Sequence, residues 1–128
     1  MKKTQVIILA AGMGKRMGGD VPKVLVEVSG KPMLGYVLEA VKNSGVDANP
    51  IIVVGPKNHD LIRSFAGEDF SYAMQNEQLG TGHAVAQAEQ KISPDTEQVI
   101  VLYGDQPMMS AETIKNLADM HDGSHLTM

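Results

Sequence analysis

Val6-Ile7-Ile8-Leu9 is an apolar run without polar alternation, and it opens directly onto Ala10-Ala11-Gly12-Met13-Gly14-Lys15-Arg16. A strand with one wet face alternates polar and apolar residues, so an unbroken run reads as a strand buried on both faces, as in a parallel sheet. Ile51 to Val54 and Val99 to Tyr103 repeat the pattern. Parallel neighbours need long crossovers, and the intervening sequence has helical periods to supply them. After Pro32, a good first helical residue, Leu34, Val37, Leu38 and Val41 fall at i, i+3, i+4 and i+7, and Gly45 is the stop. Leu61, Ile62 and Phe65 predict a short helix over His59 to Ala66, and the alanine-rich stretch His83 to Lys91 predicts a third. Ser110 can cap a fourth, with Glu112 in its first turn and Ile114, Leu117 and Ala118 facing inward. Phe70, Tyr72 and Met74 alternate as an edge-like strand, and Val24, Val26 and Val28 as a short extended piece before the turn at Ser29-Gly30-Lys31-Pro32. The expected fold is α/β: a three-layer, Rossmann-like, mostly parallel sheet in one domain over residues 1–128.

Ligands of such sheets bind outside the carboxyl ends of the strands. Three polar loops follow predicted strands, residues 10–23, 75–82 and 103–107, and should converge on one cleft. The stretch Leu9 to Lys23 holds four glycines and three cations in fifteen residues, a composition that brings backbone amides close to an anion and neutralises it. It is not a dinucleotide fingerprint, because Met17 stands at the third glycine and the second buried strand ends in Gly55-Pro56 rather than in an acid. It is not a Walker A loop, because Arg16 follows Gly14-Lys15 where that loop needs Ser or Thr. What stays is a nest of amides around triphosphate oxygens, with Arg16 as a planar fork and Lys23 as a point charge behind the stiff Pro22.

Charge agrees with that reading. The chain carries a formal net charge of -4, yet residues 1–31 sum to +4 and the remainder to -8, so positive charge gathers around the glycines. The net sign argues against a general nucleic-acid binder or an anionic-membrane binder. No apolar stretch nears the ~20 residues of a membrane span. The N-terminus has no signal-like segment, and a cytoplasmic protein is expected. With no cysteine, thiolate metal sites and a Cys nucleophile are excluded.

Leu9 to Met17 followed by Pro22-Lys23 resembles the signature of the sugar-nucleotide pyrophosphorylases, nucleotidyltransferases that join a nucleoside monophosphate to a sugar 1-phosphate. Gln75-Asn76-Glu77-Gln78-Leu79-Gly80-Thr81-Gly82-His83-Ala84 and Tyr103-Gly104-Asp105 are similar to the uridylyltransferase domain of the bifunctional N-acetylglucosamine-1-phosphate uridylyltransferases. The resemblance runs over essentially the whole chain and implies the nucleotide-diphospho-sugar transferase type of fold. It also implies that the backbone of Leu9, Ala10, Ala11, Gly12 and Gly14 meets the nucleotide, that Arg16 and Lys23 hold phosphates, and that Gln75, Gly80 and Thr81 read uracil. Tyr103, Gly104 and Asp105 would border the sugar phosphate, and Asp105 would bind Mg²⁺. The substrates implied are UTP and N-acetylglucosamine 1-phosphate, giving UDP-N-acetylglucosamine and pyrophosphate; a nucleotidyltransferase for another sugar 1-phosphate and a non-catalytic nucleotide-binding fragment are the alternatives.

The chemistry suits those residue types. A Gln amide with a backbone N–H and C=O can match the acceptor-donor-acceptor edge of uracil. A carboxylate is the hard ligand Mg²⁺ prefers, with phosphates supplying further oxygens. The nucleophile, a sugar phosphate, is already anionic, so no protein base is required and His83 reads as structural. Simpler readings stand beside these: an Asx turn at Asp105, a polar strand end at Gln75, and a helix cap at Thr81-Gly82. The strand-helix rhythm calls for another strand after Gly123, so the domain reads as truncated, half of a transferase domain, with an exposed sheet edge through which copies could associate.

Overall fold

The computed structural model describes residues 3–16, 19–77 and 80–120, with backbone alone at 13–16, 19–21 and 120. Strand β1 (Thr4–Leu9) leads into a hairpin of β2 (Met13–Arg16) and β3 (Gly19–Pro22), then a 3-10 turn at Lys23–Leu25. A second small hairpin, β4 (Glu27–Val28) with β5 (Lys31–Pro32), precedes helix α1 (Met33–Ser44). There follow β6 (Ile51–Val54), α2 (His59–Ala66), β7 (Ser71–Met74), α3 (Thr81–Ala88), β8 (Gln98–Tyr103) and α4 (Ala111–Met120).

The main sheet has the order β7-β6-β1-β8, and all three pairings are parallel. Period-two geometry sends alternate residues to opposite faces. Val6, Ile8, Ile52, Val54, Tyr72, Ile100 and Leu102 face a core completed by Leu34, Val37 and Val41 of α1, Ile62 of α2 and Ile114 of α4. Ile7, Ile51, Val53, Ala73 and Val101 face the other way, onto Ala84 and Ala88 of α3. The unbroken apolar runs thus have the predicted cause: two covered faces in a three-layer α/β domain. Small alanines let α3 sit close over three strands, whereas the opposite face takes the branched side chains of three helices. Among the described residues no helix is long and apolar enough to cross a membrane.

Local details differ from expectation. The glycine-rich segment is a hairpin in register Met13↔Pro22 to Arg16↔Gly19, not an irregular loop. Hairpin pairing satisfies backbone groups that an open loop would leave to water, and the Lys23 N–H closes its base by donating to the Gly12 carbonyl at 3.2 Å. Val24, Val26 and Val28 do not form one extended piece: Val24 is buried in the 3-10 turn and only Glu27–Val28 is strand. Pro32 is the cap before α1, with extended backbone, rather than its first residue. Its missing N–H loses nothing at either position. Helix α3 starts at Thr81, two residues before His83. Ser110 caps α4 as expected, its Oγ accepting from Thr113 N at 3.1 Å.

Candidate active site

All four main strands end at one rim. Beyond it the backbone stays tied for another residue: Ala10 N donates to Val53 O at 2.9 Å, Gln75 N to Val54 O at 2.8 Å, and Gly104 N to Leu9 O at 2.9 Å. The three polar loops are therefore launched side by side. They enclose a cleft of about 340 Å³ lined by Leu9, Ala11, Gly12, Lys23, Val24, Gln75, Gly80, Thr81, Ala84, Tyr103 and Asp105. Larger hollows lie elsewhere, at the opposite sheet end near Thr4 and Glu97 and beside α1 near Leu38 and Asp69. Position at the carboxyl ends of the strands and convergent polar groups, rather than size, single out the smaller one.

The first wall is the Ala10–Gly12 turn. It is held from below by Asn58, which is 1% exposed. The Asn58 Oδ1 accepts from Gly55 N at 2.8 Å, while Nδ2 donates to Ala10 O at 3.0 Å and more weakly to Gly12 O at 3.4 Å. Asn58 stands at the cap position of α2 but makes no side-chain cap bond there. Its amide instead ties the β6–α2 turn to the glycine turn across 48 residues of sequence. Sequence reasoning missed it, since Asn58 lies outside the three strand-end loops and nothing local in the chain marks its partners.

The hairpin β2–β3 carries the chain out and returns Lys23 beside Gly12. Lys23 Nζ then lies 3.5 Å from Asp105 Oδ2, with side chains 59% and 29% exposed. A pair this open and long contributes little to stability. It does bring a cation and a hard carboxylate to one point of the cleft. Gly14 lies in β2 opposite Val21. Arg16 has its backbone in β2, and its side chain falls outside the described residues, as does the Gln78–Leu79 part of the second motif.

The opposite wall is built on β7, α3 and β8. Gln75, 4% exposed, directs Nε2 to the Gly80 carbonyl at 3.4 Å and to His83 Nδ1 at 3.1 Å. Gly80 has φ +103, a conformation L side chains rarely adopt, and it turns the chain into α3. Gly80, not Thr81, is the cap residue of α3, and the Thr81 Oγ1 lies 3.3 Å from the Tyr103 hydroxyl, linking two predicted site residues across the cleft. Gly104 permits the closest approach, because a Cβ there would stand 2.8 Å from Val24 Cγ1 and 3.2 Å from Leu9 O. Of the predicted site residues with described side chains, Leu9, Ala11, Gly12, Lys23, Gln75, Gly80, Thr81, Tyr103 and Asp105 line this cleft, Gly104 lies beneath it against Leu9 and Val24, and the Ala10 side chain packs in the core instead.

The donor set also bears on a metal. Among the described residues no group of three or more His, Cys, Asp or Glu could hold one. A lone carboxylate fits an ion that takes one or two protein oxygens and completes its shell from phosphates and water, which is the habit of Mg²⁺ and unlike a dedicated protein cage.

The family described as MobA-like NTP transferase domain matches residues 6–127. The chain is 44% identical over 117 residues to the bifunctional protein GlmU of Caldicellulosiruptor saccharolyticus, covering 91% of this chain and 25% of that protein. It spans about a quarter of the length of the curated relatives it matches. Among solved structures, a nucleotidyl transferase from Methanothermobacter, Mth528, superposes with TM-score 0.77 at 22% identity, over 94% of this chain and 58% of that one. Rv0371c of Mycobacterium tuberculosis, in complex with manganese, gives TM-score 0.74 at 20% identity, over 92% and 59%. At such identities these two show the shared fold.

Proposed function

The chain belongs to the MobA-like NTP transferase domain family, and from that membership we propose that it is the N-terminal, nucleotide-binding part of a sugar-1-phosphate uridylyltransferase domain. The reaction proposed is transfer of UMP from UTP to N-acetylglucosamine 1-phosphate, releasing pyrophosphate. The observation that carries the reading is the convergence on one cleft of Gln75, Gly80 and Thr81 with the Lys23–Asp105 pair.

In this scheme a sugar phosphate oxygen attacks the α-phosphorus of UTP in line, an O–P bond forms, and the bond to the pyrophosphate oxygen breaks. The backbone of Leu9 to Gly12 and of Gly14 lines the nucleotide, and Arg16 and Lys23 balance the phosphate charge. Tyr103 and Gly104 flank the acceptor sugar phosphate. Asp105 would hold a divalent cation such as Mg²⁺, which would supply charge neutralisation on the phosphate oxygens. Because the attacking oxygen is already anionic, catalysis rests on orientation and preorganised charge. Lys23, 3.5 Å from Asp105, is within the same part of the cleft and would serve as a phosphate partner.

The test is pyrophosphate release from UTP, Mg²⁺ and N-acetylglucosamine 1-phosphate, run beside calorimetric titration with UTP. Tight UTP binding without turnover identifies a nucleotide-binding part that needs further chain for the sugar. Turnover with a different sugar 1-phosphate corrects the acceptor. Absence of UTP binding, with or without Mg²⁺, overturns the proposal. Sedimentation of the chain reads whether copies associate, and substitution to Pro or Lys on β7 or β8, the outer strands among the described residues, reads whether a strand edge is the interface.

A further inference from the structure

Two amides approach one imidazole. Gln75 Nε2 lies 3.1 Å from His83 Nδ1, and Gln87 Nε2 lies 3.3 Å from His83 Nε2. A neutral imidazole has one N–H and one acceptor nitrogen, so both amides cannot donate to it. The surroundings decide which does. Gln75 is buried, its contact to the ring is the shorter, and the Gly80 carbonyl offers its Nε2 a second acceptor at 3.4 Å. Gln87 is only half-buried, one turn along α3. Turning its amide over gives Oε1 to the ring N–H and forfeits only a 3.4 Å contact from Nε2 to the His83 carbonyl. The ring is then the Nε2–H tautomer, donating to Gln87 and accepting at Nδ1 from Gln75.

That assignment has a consequence in the cleft. With its NH₂ end turned toward Gly80 and His83, the Gln75 amide presents its carbonyl the other way. A carbonyl accepts the N3–H of uracil and opposes the N3 lone pair of cytosine. We infer that His83 is a positioning residue that sets base choice, its Nδ1 holding the Gln75 amide in the orientation that selects a base bearing N3–H. The inference rests on the reading of Gln75 as the base-facing residue. Without an acceptor at Nδ1 the amide is free to turn over and to donate to N3 of cytosine, so discrimination falls while the phosphate half of the cleft is untouched in design.

Calorimetric Kd values for UTP, CTP and inorganic tripolyphosphate, each with Mg²⁺, test this on wild type, His83→Ala, His83→Asn and Gln75→Ala. Asparagine carries Oδ1 as many bonds from the backbone as histidine carries Nδ1, so it restores the acceptor. The UTP-over-CTP ratio is expected to fall on the order of tenfold in His83→Ala, the size of one net hydrogen bond to a buried group, and to return in His83→Asn. An unchanged ratio in His83→Ala, a ratio still lost in folded His83→Asn, or a parallel loss for all three ligands overturns the inference. If Gln75→Ala loses the ratio and His83→Ala keeps it, the role of His83 fails alone. If Gln75→Ala keeps it, or wild type shows none, the reading of Gln75 fails and takes this inference with it.

Discussion

Asn58→Asp changes one atom in the support beneath the glycine turn, and the structure says how much that atom matters. One carboxylate oxygen can still accept from Gly55 N, at 2.8 Å in the native contact. The other replaces Nδ2 and faces the carbonyl oxygens of Ala10 and Gly12 at 3.0 and 3.4 Å, in a site 1% exposed. Two hydrogen bonds of about 1 kcal/mol each disappear, and an unpaired buried charge is added, for a total of about 3 to 5 kcal/mol at neutral pH. Protonation relieves most of this, since a neutral carboxyl can donate to Ala10 O. At about 1.4 kcal/mol per unit, a cost of 3 kcal/mol raises the introduced carboxyl about two units, from near 4 to near 6. A group raised in the folded state binds more protons folded than unfolded, so the variant is most nearly native in stability below pH ~4 and loses stability as pH rises through ~6. Urea unfolding of wild type and variant at pH 4 and pH 7.5 reads the difference directly. Asn58→Ala, which introduces no titrating group, should show a deficit with little pH dependence. A deficit in Asn58→Asp that is equal at the two pH values, or below ~1 kcal/mol at pH 7.5, would refute the placement of Nδ2 against the two carbonyls.

Three further outcomes follow from named contacts. Lys23→Ala should cost on the order of 2 to 4 kcal/mol of transition-state stabilisation in pyrophosphate release, as does loss of one preorganised donor, and unchanged turnover would remove Lys23 from the mechanism. Gly104→Ala drives a Cβ to 2.8 Å from Val24 Cγ1 and 3.2 Å from Leu9 O, so thermal unfolding should show a loss of about 1 to 3 kcal/mol. Burial, then Glu68, pushes the Tyr72 hydroxyl above its ordinary value, partly offset by Arg63. The unfolded chain therefore ionises first and stability falls as pH rises past ~10. Tyr72→Phe should flatten that alkaline fall, while losing the 2.5 Å bond to Gly67 O lowers stability at pH 7.

Lys3 to Asp95 and Lys31 to Glu39 warn against reading much from exposed ion pairs. Both carboxyls are held below the ordinary range, foremost by hydrogen bonds from those lysines. Both lie in water, where such pairs add little.

The sequence by itself determined the layers. An apolar run of period one is legible as a doubly buried strand, and i, i+3, i+4 spacing as a helix face, because both patterns are local consequences of backbone geometry. Hence β1, β6, β8, α1 and α2 were placed to within a residue or two, and the three strand-end loops could be named as one cleft. The family resemblance rested on short motifs of the same local kind. Tertiary structure alone decided what those loops do to one another. Whether residues 13–22 form an open loop or a hairpin depends on pairing, and only the hairpin returns Lys23 to Asp105, 82 positions away. Asn58 went unread because its partners, Ala10 and Gly12, are more than forty residues upstream. The contact between the His83 ring and Gln75, just past β7, was not legible because nothing in α3 reveals it. Each of these is a contact between segments brought together by the parallel sheet, and a side chain's partner across a fold leaves no periodicity in the chain to be read.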